Sequence, residues 1–151
     1  MTSVSGHPAQ GDEPEKVPAL PVPFKLAKRD KPLILLETLV NDQGPFRFVL
    51  DTGAGGTIIA PELAKKLGVK ADERAKPDKA TGAGGQLEIR FGAVKSLEVG
   101  ETKIKRLKVG IMDLAGISKA IETDIDGIIG YNFLKKFRVT IDYPKRTVTF
   151  E

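Results

Sequence analysis

The sequence predicts an all-β protein with one or two short helices. Its 151 residues suit a single domain. Short runs rich in valine, isoleucine, leucine and threonine alternate with turns containing glycine, proline or asparagine, a pattern typical of β-strands joined by short connections. One pattern also recurs: Ile58–Leu67 (IIAPELAKKL) matches Ile128–Phe137 (IIGYNFLKKF) at an offset of 70 residues. This repeat favours a β domain built from two related halves, and chance similarity of two amphipathic segments is the alternative.

The N-terminal segment differs from the rest in composition. Residues 1–23 hold five of the ten prolines and little apolar periodicity, so they predict a disordered or extended tail before a domain at residues 24–151. The start, MTSVSGHPAQ, lacks the basic residues and apolar centre of a signal peptide. No run of about 18 apolar residues is present. The sequence as given therefore favours a cytoplasmic location without a membrane segment, a signal or anchor removed from it is the alternative, and the compartment stays open.

The first half of the domain predicts strands followed by one helix. Pro61 suits the first position of a helix, and Gly68 suits the residue just after its end. The predicted elements are a strand at Pro32–Val40, a turn at Asn41–Gly44, strands at Pro45–Leu50 and Thr57–Ile59, and a helix over PELAKKLG.

The second half predicts further short strands. QLEIRFG, VKSLEVG and TKIKRLKVGIM are each predicted as one strand, and Leu114–Asp124 fits either a loop or a helix. The last segments are DGIIGYNFLKKF and a hairpin, RVTIDYPKRTVTFE, that turns at DYPKR.

Composition excludes several kinds of chemistry. Without cysteine there are no disulfides, thiolate metal sites or thiol nucleophiles, and the one histidine, His7, lies in the predicted tail. Histidine-dependent triads and zinc sites are therefore not predicted, and neither is any cofactor or metal. The two GAGG stretches, at residues 53–56 and 82–85, match no phosphate-binding pattern. The basic residues are scattered with few aromatics between them, which favours solvated faces over a nucleic-acid-binding β domain.

Asp51 is the carboxylate in the least ordinary setting. It ends the apolar run FRFVL and is followed by Thr52 and Gly53. An unpaired charge at the end of a buried strand is costly, and glycine lets the backbone come close to the carboxylate. One interpretation is a turn in which the aspartate accepts a hydrogen bond from the backbone two residues on. The other is acid–base catalysis, which only carboxylates could perform in this chain.

Two features together carry a resemblance to a known family. FVLDTGAGGTII and the later DGIIGYNFL, with a glycine-rich stretch between them, resemble the retropepsin-like aspartic proteases, the family of retroviral proteases and their single-domain bacterial relatives. The resemblance runs from about Pro32 to Phe150. It implies an acid-protease β-barrel that forms half of a two-fold dimer and hydrolyses peptide bonds.

The resemblance also implies roles for particular residues. Asp51 would be the catalytic aspartate, and Thr52, Gly53 and Ala54 would support its loop. The flap that closes over substrate would be formed by Thr81, Gly82, Ala83, Gly84 and Gly85, and a flexible loop tip is the alternative interpretation of these residues. The segment bracing the aspartate loop would be Ile128, Ile129 and Gly130.

One Asp-Thr-Gly motif in a chemistry that needs two carboxylates predicts a homodimer. Asp113 lacks the following Thr-Gly, and Asp126 is predicted as a turn residue. Asp51 of each subunit would therefore meet at the two-fold axis, with a peptide or protein as substrate. The C-terminal strand RTVTFE would contribute to the dimer sheet, as terminal strands do in the family.

The chain departs from the retroviral pattern at three positions. Gly55 and Gly56 replace the acidic or polar residues that help hold substrate, and Tyr131 replaces the arginine that pairs with one of those acids. The alternative function is therefore a catalytically inactive peptide-binding or dimerisation module on the same fold. Ala54 replaces the serine of pepsin-like relatives, which predicts an activity optimum less acidic than pepsin's.

Overall fold

The computed structural model describes residues 19–82 and 85–151. These residues form β-strands and three short helices. The strands are β1 (Val22–Pro23), β2 (Lys25–Lys28), β3 (Lys31–Val40), β4 (Gln43–Leu50), β5 (Thr57–Ile59), β6 (Asp78–Gly82), β7 (Gly85–Val99), β8 (Thr102–Ile111), β9 (Gly127–Ile129), β10 (Val139–Asp142) and β11 (Thr147–Phe150). The helices are α1 (Pro61–Leu67), α2 (Ala115–Ile121) and α3 (Tyr131–Leu134).

The larger sheet has a strand order that is symmetric about its centre. Its eight strands follow the order β2-β3-β4-β9-β5-β8-β7-β6, and the central pair, β9 and β5, is antiparallel with Ile58 opposite Ile128. The hairpin β3–β4 in one half corresponds to β7–β8 in the other, and β5–α1 corresponds to β9–α3. This is the arrangement that the repeat predicts, because the two matched segments are β5–α1 and β9–α3. The fold is the predicted one, mostly β with a few short helices.

The first and the last described strands lie in a second sheet of three strands, in the order β1-β11-β10. Val22 and Pro23, assigned to the tail from the sequence, form β1 and pair with Val148 and Thr147 of β11. Strand β11 is paired with β10 along its whole length and with β1 at two positions. Strand β11 therefore lies between β1 and β10, with Thr149 and Phe150 paired only to β10, and its contribution to a dimer sheet stays a prediction.

Local signals account for the elements around β4 and α1. The turn between β3 and β4 is narrower than predicted: Asn41 and Asp42 have φ of 53° and 62°, the geometry of a two-residue hairpin turn. Gly68 ends α1 in the left-handed region with φ of 71°, where glycine carries no steric penalty. Helix α1 also has Glu62 in its first turn and lysines in its last, as the helix dipole favours.

In the second half, two predicted strands form a single strand, and the segment predicted as either loop or helix contains a helix. QLEIRFG and VKSLEVG belong to one strand, β7, instead of two. Gly92, the last residue of the predicted strand QLEIRFG, lies in the middle of β7. A Cβ at this position would be 2.8 Å from the Lys70 carbonyl oxygen. This glycine therefore makes room for another segment instead of turning the chain. The ambiguous Leu114–Asp124 contains helix α2.

The buried side chains form a main core and a second cluster. The main core includes Phe48, Ile59 and Phe133, none of which is exposed. The second cluster contains residues from β4, β9 and α2, and half-buried apolar residues of β6 and β7 pack against it. The buried members of the second cluster are Val49, Ala60, Met112, Leu114, Ile121, Ile125 and Ile128.

No helix within residues 19–82 and 85–151 is long and apolar enough to cross a membrane.

Candidate active site

Asp51 lies immediately after β4, in an exposed loop. Its backbone N–H donates to the Ile129 carbonyl at 3.0 Å, and the Gly53 N–H donates to Asp51 Oδ1 at 2.9 Å. The Ala54 N–H donates to the Asp51 carbonyl at 3.1 Å, which closes the turn. Asp51 Oδ2 accepts no hydrogen bond from residues 19–82 and 85–151. The side chain of this exposed residue is thus held through one oxygen, and no hydrogen bond from the described residues occupies the other.

The predicted bracing segment lies directly behind this loop. Strand β9 runs between β4 and β5, and its Ile128 and Ile129 pair with Val49 and Leu50 of β4. Gly130 follows, and a Cβ at that position would lie 2.1 Å from the Gly56 carbonyl oxygen. Only glycine lets the two backbones approach this closely.

A buried hydrogen-bond network joins the far end of the loop to α3. The Thr57 hydroxyl is buried; it donates to Asn132 Oδ1 at 2.8 Å and accepts from the Gly130 N–H at 3.2 Å. The Thr57 N–H also donates to Asn132 Oδ1, and Asn132 Nδ2 donates to the Lys108 carbonyl. The sequence motif does not mark Thr57 as a site residue, because its partner Asn132 lies 75 positions away in the chain.

The outer surface of the loop is open. Thr52, Gly53 and Gly55 are all exposed, and so is Tyr131, whose N–H donates to the Ala54 carbonyl at 2.8 Å. The Thr52 hydroxyl makes no hydrogen bond to the described residues of this chain. The locking role that the resemblance implies for Thr52 would therefore require a second subunit. Nothing lies within 4 Å of a Cβ built at Gly55 or Gly56.

The predicted flap falls on the β6–β7 hairpin. Gly82 pairs with Gly85 and Thr81 with Gln86, so the flap residues that the structure describes lie at the facing ends of β6 and β7. Ala83 and Gly84, both assigned to the flap, lie outside the described residues. Three apolar residues of the hairpin pack against the second cluster, as Ala54 of the aspartate loop does. The β6–β7 hairpin and the aspartate loop therefore pack against one apolar cluster. The three hairpin residues are Ala80, Leu87 and Ile89.

Asp113 lies one residue beyond the position that corresponds to Asp51 in the other half of the sheet. The Met112 N–H donates to the Ile59 carbonyl at 3.2 Å, as the Asp51 N–H does to Ile129. Asp113 Oδ1 then accepts from the Ala115 N–H at 2.9 Å, so both halves carry an aspartate turn after a β-strand. In the second half the connection continues into α2 instead of directly into a strand.

A groove of about 630 Å³ lies beside α2, and Asp51 takes no part in its lining. Asp126 lies at the groove as well, where its Oδ2 accepts from the Arg47 N–H. The charged residues lining the groove are Glu62, Asp113, Lys119, Glu122, Asp124 and Asp126.

Within residues 19–82 and 85–151, no three acidic or histidine side chains are placed to hold a metal ion.

Comparison with known proteins agrees with this architecture. The structure resembles that of a retropepsin-like aspartic protease from Rickettsia conorii, with a TM-score of 0.55 and 17% sequence identity over 91% of this chain and 92% of that one. No curated protein sequence matches the chain. The fold is thus that of the retropepsin-like aspartic proteases. The sequence profile described as aspartyl protease matches residues 36–133, which are 98 of the 151 residues, and the chain belongs to this family.

Proposed function

We propose that the protein is an aspartic endopeptidase that works as a homodimer with one Asp51 from each subunit. The observation that carries the proposal is the position of Asp51. Its carboxylate lies on an exposed loop, is fixed by the Gly53 N–H, and is braced by β9 from behind. One loop of this kind supplies one carboxylate, whereas hydrolysis by this chemistry needs two, so a second copy completes the site.

The reaction follows from two carboxyl groups that lie close together. Two such groups cannot both ionise readily, so they share one proton. The ionised carboxylate takes a proton from a water molecule as its oxygen attacks the peptide carbonyl carbon. The protonated carboxyl donates its proton to the carbonyl oxygen. The tetrahedral intermediate then collapses, the C–N bond breaks, and the amine leaves with a proton returned through the pair.

The test is cleavage of a diverse peptide mixture between pH 3 and 7 by the wild type and by Asp51→Asn. Asparagine keeps the shape of the side chain and removes its acid–base function. We expect cleavage by the wild type and a loss of at least about a thousandfold in the variant, since acid–base groups commonly contribute 10²–10⁴-fold. Asp113→Asn is the matched control, because it changes the aspartate of the similar turn in the other half and should leave the rate unchanged.

The outcomes separate the candidate functions. Equal cleavage by the wild type and Asp51→Asn would contradict the proposal. A folded dimer that binds peptides without cleaving them would favour the inactive binding module, for which Gly55 and Gly56 are the supporting feature. A rate maximum near pH 2 would contradict the expectation that Ala54, which has no hydroxyl to stabilise the ionised carboxylate, gives a less acidic optimum.

A further inference from the structure

Tyr131 is the most exposed of the large apolar residues in the part of the chain that the structure describes. Its exposed fraction is 58%, compared with 52% for Tyr143, 51% for Leu20 and 37% for Leu33. A single exposed apolar side chain is ordinary on a monomer, so exposure alone indicates nothing. The position of this residue in the molecule is what distinguishes it.

The backbone of Tyr131 is fixed to the loop that carries Asp51. Its N–H donates to the Ala54 carbonyl at 2.8 Å, and the Ala54 N–H donates to the Asp51 carbonyl at 3.1 Å. The residue before it, Gly130, packs directly on Gly56. Tyr131 is thus placed beside the candidate catalytic loop by three successive backbone contacts. Like Tyr131, the loop residues Asp51, Thr52, Gly53 and Gly55 are exposed.

This surface has the chemistry of an interface between subunits. It carries one carboxylate, small residues that permit close approach, and one large aromatic side chain with a polar end. Tyrosine is enriched in protein interfaces because its ring gives a large contact area while the hydroxyl can stay hydrated or form a hydrogen bond. If two copies bring their Asp51 loops together, the side chain next to those loops lies close to the second copy.

We propose that Tyr131 is an anchor residue of the dimer, with its ring packed against the partner subunit. The inference rests on the proposed dimeric function and adds to it the residue that stabilises the pair. A contact made by an aromatic ring is not screened by salt, so the part of the dimerisation free energy that Tyr131 supplies should change little with ionic strength.

The first experiment measures the dimer dissociation constant by sedimentation equilibrium for the wild type and three variants. Tyr131→Ser removes the ring, Tyr131→Phe keeps it, and Tyr143→Ser removes a tyrosine of similar exposure in the β10–β11 turn. Truncating a well-packed interface tyrosine commonly weakens binding by about tenfold, and a two-fold dimer contains two copies. We expect Tyr131→Ser to raise the dissociation constant roughly 100-fold. The other two variants should stay within about threefold of the wild type.

The second experiment uses the two tyrosines and the absence of tryptophan in this chain. In Tyr143→Phe, Tyr131 is the only tyrosine, so intrinsic fluorescence reports on it alone. We expect quenching by acrylamide to weaken as protein concentration rises through the dissociation constant. Tyr131→Phe, in which Tyr143 is the only reporter, should show the same quenching at every concentration.

The results distinguish a failure of the inference from a failure of the proposed function. A dimeric wild type whose dissociation constant is unchanged by Tyr131→Ser, with quenching independent of concentration, would overturn the role of Tyr131 and leave the dimeric mechanism standing. A wild type that remains monomeric at concentrations where it cleaves peptides would overturn both. Circular dichroism of Tyr131→Ser checks that a loss of dimer is not a loss of fold.

Discussion

Thr57 is the residue through which the loop carrying Asp51 is fixed at its far end. Its buried hydroxyl both donates to Asn132 Oδ1 and accepts from the Gly130 N–H. Thr57→Val preserves the shape and removes both hydrogen bonds. A buried polar group that loses its partner costs about 1–3 kcal/mol, so we expect the free energy of unfolding to fall by that amount.

The same substitution should lower kcat, because a displaced loop misplaces the carboxylate. We expect a decrease of at least about tenfold, since a shift of 1 Å can cost more than that. Thr57→Ser retains the hydroxyl and should recover most of the loss. Thr140→Val, on the exposed face of β10, is the control for a threonine in a strand. Chemical denaturation and steady-state kinetics on the four proteins would measure both effects, and equal values for Thr57→Val and Thr140→Val would contradict the role of the network.

At the scale of elements, the β6–β7 hairpin, on which the proposed flap lies, packs through its apolar side. Leu87 and Ile89 alternate with exposed residues along β7 and pack on the cluster that includes Ala54. We expect Leu87→Ser to raise KM several-fold, because losing a half-buried leucine weakens by roughly 1 kcal/mol the contact that keeps the flap near the loop. Glu88→Ser changes the neighbouring residue on the opposite face and should leave KM unchanged. Peptide kinetics would decide, and a similar KM for both variants would show that the cluster does not position the flap.

Strands and helices whose sequence signals lie within the element itself were predicted with the correct bounds, whereas an element determined by a distant contact was not. The strand at Thr57–Ile59 and the helix that begins at Pro61 were predicted with their observed bounds, because a proline, a β-branched run and Gly68 specify them locally. The division of β7 was wrong because Gly92 is required by the Lys70 carbonyl, about 20 residues away in the chain. That close approach exists only in the folded protein.

The same distinction applies to the candidate site. Asp51 could be singled out from the sequence because its motif is contiguous. The pairing of Thr57 with Asn132 joins residues 75 positions apart, and no local pattern marks it. The exposure of Tyr131 was equally invisible, since sequence shows which residue replaces the arginine but not whether its ring is covered.

At the scale of the whole molecule, the proposed mechanism makes activity a property of pairs of chains. If wild-type and Asp51→Asn chains are mixed and allowed to exchange, only pairs with two wild-type chains carry both aspartates. An equal mixture should therefore retain about a quarter of the activity of the same total amount of wild type. If the mixture retained half of the wild-type activity, each chain would act alone. The assay is a titration of the variant into a fixed total concentration of protein, with Asp113→Asn as the added control chain.

The central position of β9 has a consequence for how the protein matures. This strand pairs with both β4 and β5, and its neighbours Gly130, Tyr131 and Asn132 hold the aspartate loop. During synthesis the loop is made long before its supports. Until residue 132 has emerged from the ribosome, the Asp51 loop has neither its brace nor the hydrogen bonds from Thr57 to Asn132. A nascent chain of this protein therefore has the motif of a protease long before it can have the site.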